Sequence, residues 1–245
     1  MTPVVSVIVT HHLDRAKPAL ALCLEGILRN CGVPFELILV SDSETEPTIP
    51  HVDNPDCVRS TVYHDKSLKL ASLKVNWAVK NAVHKDSKYL WLVSDDVVVS
   101  DRTMGKMLRG QEMLPGIHNP MSNSDNGSQF LADWEGIGVK EDVRPWSGLR
   151  EMETQNAILV PKPWVAGYCT MMPREVWDRV GELDPRLDYR HNDQDFCMRA
   201  AKLGIPSFIN FGAFALHFGD QTLPYCTNPE QLDECSRVFQ EKYAV

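Results

Sequence analysis

The sequence predicts an α/β domain whose mostly parallel central sheet carries helices on both faces. Three observations lead there. Strand and helix signals alternate through the first half of the chain, the pattern of a parallel sheet with crossover helices. The strand segments are near-continuous apolar runs rather than alternating ones, as expected of strands buried on both faces. Finally, three of those runs end in polar breaks, Thr10-His11-His12, Ser41-Asp42 and Ser94-Asp95-Asp96. Open parallel sheets bind ligands at the carboxyl ends of their strands.

The elements follow in order. "VVSVIVT" (4–10) is a β-branched strand. "PALALCLEGILRNCG" (18–32) reads as a helix, with Pro18 suited to its first turn, Leu20, Leu24, Ile27 and Leu28 on one face, and Gly32 at its end. "FELILV" (35–40) is a second strand and "CVRSTVY" (57–63) a weaker third. "LASLKVNWAVKNAV" (70–83) is an amphipathic helix, and "KYLWLV" (88–93) a strand that delivers Asp95 and Asp96. From Leu114 to Trp164 the chain is rich in Pro, Gly, Asn, Ser and Trp with little periodicity. It reads as a long loop region, either a binding loop or a variable surface insertion. Trp134, Trp146 and Trp164 favour binding, because flat apolar rings pack well against sugar faces or other ligands, but they could equally anchor the loops to the body. "PREVWDRVGELD" (173–184) is a helix starting on Pro173, and a second runs from about Asp193 to Leu203, stopping at Gly204. "PSFINFG" is a strand, "FALHFGD" a short segment ending in His217, and "NPEQLDECSRVFQEKY" a closing helix.

The 245 residues, 43% hydrophobic and 24% charged, suit a soluble globular protein of one large α/β domain or two small ones. No apolar run approaches the roughly 20 residues that span a bilayer. The N-terminus lacks the basic region of a signal peptide. A net charge of -8 argues against extensive contact with nucleic acid, a local basic groove apart. Seven cysteines without a CxxC read as reduced, largely core residues of a cytoplasmic protein rather than as a zinc site.

Two acidic clusters carry the chemistry. Asp95 and Asp96 at a strand end are costly unless solvated, paired or bound to a cation. Such oxygen ligands suit Mg²⁺ or Mn²⁺, with phosphate oxygens completing the shell. On the pair alone, a metal site and a solvated turn are equally consistent. In "HNDQD", Asp193 and Asp195 stand at a helix start, where capping and the helix dipole favour carboxylates. Two acids beside His191 also suggest a general base. His217 is a third candidate, either packed or completing a carboxylate metal site. There is no GxGxxG, GxxxxGK[ST] or GxSxG.

As an ordered set, "VSVIVTHHLDR", "FELILVSDSETE", "KVNWAVKNA", "WLVSDDVVVS", "VAGYCTMMPREVWDRVGELDPRLDYRHNDQDFCMRAAKLG" and "ALHFGD" resemble the GT-A glycosyltransferases, most closely the inverting family-two type. The match covers roughly residues 4–105 and 165–220. The resemblance implies a single GT-A catalytic domain over 1–245. Residues 1–105 would form the nucleotide-sugar-binding half. Residues 106–220 would form the acceptor side, with the long loop 115–165, and 221–245 the C-terminal helix. It implies a nucleotide-diphospho-sugar donor, a UDP-sugar first, and a glycan or other hydroxyl-bearing acceptor. It further implies that Thr10, His11, Asp42, Lys74 and Asp95 contact the donor, with Lys74 the weaker candidate. Asp96, with His217, would hold Mn²⁺ or Mg²⁺ at a DxD-type motif. Asp193 would be the general base, Asp195 would support the acceptor or the helix start, and Trp134 and Trp164 would lie on the acceptor side. Three positions depart from the pattern: Ser94 for the first Asp of DxD, Ser41 for the first acid of the Asp-Asp turn, and Asn192 for Glu beside the base. Three other readings stay open: a retaining GT-A enzyme, a nucleotidyltransferase (though its Gly-rich phosphate loop is missing) and a non-catalytic sugar-nucleotide or carbohydrate binder.

Overall fold

The computed structural model describes residues 1–12, 17–123, 158–218 and 229–243. Nine strands form one sheet, ordered β3-β2-β1-β4-β8-β6-β9, with β5 and β7 both paired to the far side of β9. The strands are β1 (Val5–His11), β2 (Phe35–Ser41), β3 (Cys57–His64), β4 (Tyr89–Ser94), β5 (Val97–Val99), β6 (Ile117–Ser122), β7 (Leu159–Lys162), β8 (Cys169–Pro173) and β9 (Ser207–His217). The helices are α1 (Lys17–Leu28), α2 (Ala71–Asn81), α3 (Thr103–Met113), α4 (Arg174–Val180), α5 (Asn192–Lys202) and α6 (Pro229–Tyr243). Among the described residues no helix is long and apolar enough to cross a membrane.

The expected parallel sheet is the first half. β3, β2, β1 and β4 are parallel neighbours. Their apolar runs are divided by the two-residue period of a strand. Val5, Val7 and Val9 of β1, with Leu37 and Leu39 of β2 and Trp91 of β4, pack on Leu20, Leu24 and Ile27 of α1. Ile8, Ile38, Leu90 and Leu92 point the other way, onto Val75, Ala78 and Val79 of α2. Beyond β4 the sheet is mixed: β8 runs antiparallel to β4 and β6, and β9 is parallel to β6. The valines after Asp96 become β5, which pairs with the end of β9 and brings Val97 opposite His217.

The structure corrects several expectations. α3 was not anticipated; its two glycines, Gly105 and Gly110, break the usual helix signal. The stretch read as irregular, 114–164, contains β6 and β7. β6 is wholly buried yet reads "IHNPMS". Most of its polar groups find partners: Asn119 donates to the Ala166 carbonyl and accepts from Thr170 Oγ1 at 2.8 Å, and His118 Nε2 pairs with the nearby Leu114 carbonyl at 2.8 Å, while His118 Nδ1 is a buried atom with no partner among the described residues. "PSFINFG" and "FALHFGD" are one strand, not two segments. A register shift places Asn210 opposite Pro120 but Phe214 opposite Met121, a bulge that tolerates a proline inside the sheet. α1 ends at Leu28, and Gly32 serves the following turn, where its φ of 87° suits glycine. The six described cysteines are free. Burial pushes Cys169 up to about 12 and Cys197 to about 11, so both stay neutral packing residues.

Candidate active site

β1 lies between β2 and β4, while the chain returns to the sheet on both sides of it. This is the switch point at which an open sheet leaves a crevice beyond its strand ends. A cavity of about 1030 Å³ opens there. The ends of β1 and β4 supply Thr10, His11, Asp95 and Asp96 to its wall. Lys74, Trp164, Asp193 and His217 also line it.

Asp95 and Asp96 point to different partners. Asp95 Oδ2 lies 2.5 Å from Nδ1 of His11, whose side chain is fully buried and whose Nε2 has no protein partner. Burial raises the Asp95 carboxyl above its usual range and Asp96 adds repulsion, against the opposing pull of His11. Asp96 Oδ1 lies 3.2 Å from Nε2 of His217. The His217 ring stacks on Tyr168, with centroids 4.3 Å apart and planes inclined by 20°. The His217 backbone is clamped by Asn123, which accepts from its N–H at 2.7 Å and donates to its carbonyl at 3.0 Å. Tyr168 and Asn123 escaped the sequence reading; both act through contacts that only the sheet topology creates.

Asp42 does not line the cavity. Its side chain is fully buried and ion-paired with Lys74 Nζ at 2.6 Å, His12 Nδ1 at 2.7 Å and Lys69 Nζ at 3.6 Å. Burial pushes its carboxyl up, but the bonds from His12 and Lys74 prevail and hold it below its ordinary value. Lys74 and His12 are the groups of this cluster, with Lys69, that reach the cavity wall. The end of α2 nearest them is tied by Asp188, which accepts the N–H of Ala71 at 3.1 Å and of Ser72 at 2.5 Å. Such a carboxylate at a helix N-terminus satisfies orphan donors and complements the dipole.

Asp193 sits in the first turn of α5. Its Oδ2 accepts the Gly167 N–H at 3.1 Å and its Oδ1 that of Gln194 at 2.8 Å. Burial raises its carboxyl above the ordinary range despite these bonds. A desolvated carboxylate with neutral donors and no cation bonded to it is suited to taking up a proton. Asp195 is different. It is fully buried and held by Arg199 Nε at 2.9 Å, Lys242 Nζ at 2.6 Å and the Tyr243 hydroxyl at 2.7 Å, away from the cavity wall. The structure therefore does not bring Asp195 to the acceptor side; it joins α5 to α6. Trp164 lines the cavity, while Trp134 lies outside the described residues.

Among the described residues no group of three or more His, Cys, Asp or Glu side chains is arranged to hold a metal ion by itself. Asp96 and His217 could serve as two ligands of such an ion, and their 3.2 Å separation is near the edge of an octahedron with arms of about 2.1 Å.

A nine-stranded mixed sheet between helical layers, with the cavity at its switch point, is the GT-A fold. Solved structures with this architecture share it over nearly the whole chain. S. aureus TarS 1–349 in complex with UDP-GlcNAc matches with a TM-score of 0.62 and 14% identity, covering 99% of this chain and 66% of that one. The mannosyltransferase PcManGT from Pyrobaculum calidifontis, in complex with GDP-Man and Mn²⁺, matches at 0.60 and 13%, covering 100% and 76%. GalNAc-T7 with UDP, GalNAc and Mn²⁺ matches at 0.65 and 12%, covering 99% and 50%. The chain thus spans just under two thirds of the TarS fragment and half of GalNAc-T7. No family model matches the sequence, and no curated protein matches it either.

Proposed function

We propose that the protein is a metal-dependent glycosyltransferase that moves a sugar from a nucleotide-diphospho-sugar to an acceptor hydroxyl with inversion. One observation carries this reading: a single cavity at the switch point collects Asp96, His217 and the desolvated Asp193 on its walls. The donor class is supported by the neighbours, crystallised with UDP-GlcNAc, GDP-Man or UDP with GalNAc, two of them with Mn²⁺. A UDP-sugar is the first donor to test.

Asp96 and His217 fit Mn²⁺ or Mg²⁺ as partial ligands; the bound ion would neutralise the leaving diphosphate. Lys74 and His12, both paired with Asp42, stand at the wall as polar partners for the donor. Thr10, His11 and Asp95 surround the same strand ends, and the Nε2 of His11 is a buried polar atom open to a ligand partner. On the acceptor side, Asp193 takes the hydroxyl proton as the oxygen attacks the anomeric carbon. The bond from that carbon to the diphosphate breaks, its electrons leave with the nucleoside diphosphate, and the proton remains on Asp193. Attack opposite the leaving group inverts the configuration, through an oxocarbenium-like transition state as in glycoside hydrolysis. Trp164 supplies an apolar ring to the wall against which a sugar face can pack.

A thermal-shift screen of sugar nucleotides with and without Mn²⁺ tests fold, metal and donor together. Saturating donor at about 100 times its Kd should stabilise the protein by about 2.7 kcal/mol. Asp96→Ala should remove the Mn²⁺-dependent part of that shift, weakening donor binding about 100-fold. Donor consumption with an inverted product supports the proposal. A retained product removes Asp193 from its role as base, and binding without turnover makes the protein a sugar-nucleotide binder.

A further inference from the structure

We infer that the C-terminal helix α6 is a strap that sets the position of Asp193, with Phe239 and Tyr243 as positioning residues. The inference deepens the proposed function and rests on Asp193 being the base. Four observations meet in the segment 184–195. His191, two residues before Asp193, has φ 72°, the one non-glycine residue at positive φ among those described. Such a backbone is strained for a residue with a side chain and persists where its surroundings over-determine it.

The surroundings are visible. The His191 ring stacks on Phe239 of α6, with centroids 4.5 Å apart and planes inclined by 22°. On its other side, Nδ1 pairs with Gln194 Oε1 at 2.5 Å, and its carbonyl accepts the Asp195 N–H at 2.8 Å. Tyr243 and Lys242 of α6 then hold the buried Asp195 carboxylate at 2.7 Å and 2.6 Å. Lys242 also reaches Asp184 at 3.2 Å, and Cys235 donates to the Arg186 carbonyl at 3.3 Å. Helix α6 therefore grips the segment at both ends and at the strained residue. Asp193 lies inside that grip, held by nothing from α6 directly. The same segment supplies Asp188 to the N-terminus of α2, so its position is shared between base and donor sides.

The test uses Phe239→Leu, which keeps an apolar side chain but loses the ring, Phe239→Trp as the rescue, and Tyr243→Phe, which removes only the hydroxyl. Asp193→Asn is run alongside. Phe239→Leu should lower kcat about tenfold with the donor KM within about twofold, because misplacing a catalytic group costs rate without costing remote binding. It should also move the acid limb of the kcat–pH profile and speed amide exchange across residues 190–195. Phe239→Trp should restore all three. Tyr243→Phe should show the same changes at about threefold in kcat. Wild-type kcat, acid limb and exchange in Phe239→Leu overturn the strap, as does a kcat loss that only follows the unfolded fraction. If Asp193→Asn turns over normally, the base assignment has failed instead. The amide exchange of Phe239→Leu then decides alone: faster exchange keeps α6 as the holder of this segment, and unchanged exchange removes it.

Discussion

Asp42, buried, and Asp193, partly buried, are both carboxylates beside one cavity, and the protein treats them oppositely. Asp42 is ringed by His12, Lys74 and Lys69, and its carboxyl is held below the ordinary range. Asp193 has two backbone N–H groups instead, and its carboxyl is raised. Burial acts upward on both; what differs is whether charged partners overcome it. A fully paired acid spends its charge on neighbours and organises them. An acid desolvated without a cation keeps a high-energy ionised form, which is what proton abstraction needs.

Breaking Asp193 should have the largest effect. Asp193→Asn keeps the size and the acceptor oxygen for one backbone N–H but removes the base. A general base is worth about 10²–10⁴ in rate, so kcat should fall about 10³-fold with the donor Kd retained. Sugar-transfer kinetics beside a donor titration would show both. In the wild type, the sign of the shift fixes the pH dependence: with the carboxyl raised above 3.8, the ionised base is lost as pH falls through that raised value. The acid limb of kcat should therefore lie above pH 3.8 and vanish in the residual rate of the variant. A limb at or below the ordinary carboxylate value would erase the contrast with Asp42.

The Asp42 side of the comparison is a stability effect. Lys74 and Asp42 have side-chain exposures of 2% and 0%. Asp42→Asn leaves a buried ammonium without its counter-charge and should cost about 3–5 kcal/mol in denaturant unfolding. The double variant Asp42→Asn with Lys74→Met should regain most of it, since the buried ammonium is gone and Lys69 is exposed to solvent. The shift runs opposite to that of Asp193, and it governs stability rather than rate. A depressed carboxyl stabilises the fold fully above its unfolded value near 3.8, and that contribution is lost as pH falls through the lower folded value. Equal stability of the single and double variants would mean that the pair is not the organising contact.

The sequence exposed one half of this site more readily than the other, for physical reasons. β1, β2 and β4 are buried on both faces, so their sequences are long apolar runs, and the polar residues ending them stand out. Asp95, Asp96 and Thr10 were legible that way. The other half is built by β6, β8 and β9, whose cores admit Asn119, Thr170 and Asn210 because tertiary partners satisfy them, and His118 with one ring nitrogen paired. No period survives that mixture. The resemblance to the GT-A glycosyltransferases pointed to Asp193 and His217, but the partners that separate one aspartate from another are long-range. Nothing local says that Lys74 turns to Asp42, or that Asp195 is claimed by α6 while Asp193 stays at the wall.

Tyr168 gives the smallest and most local test of the same division. Its ring supports His217 from one face by stacking, while Asn123 fixes the backbone. Tyr168→Leu keeps an apolar side chain in a site only 6% exposed but loses the stacked plane, worth about 0.5–1.5 kcal/mol. The fold should survive, because the Tyr168 carbonyl still accepts the Ser94 N–H at 2.9 Å and keeps the end of β4 joined to β8. Mn²⁺-dependent donor affinity should drop by no more than about tenfold, since the ring orients one ligand and contributes none. Metal-independent affinity and the acid limb set by Asp193 should stay put. Measured by donor titration with and without Mn²⁺, a loss confined to the metal arm places Tyr168 with the paired, organising side of the site. A shifted acid limb would instead mean that the two sides are coupled through the loop that carries Tyr168 next to Gly167, whose N–H is one of the two that Asp193 accepts.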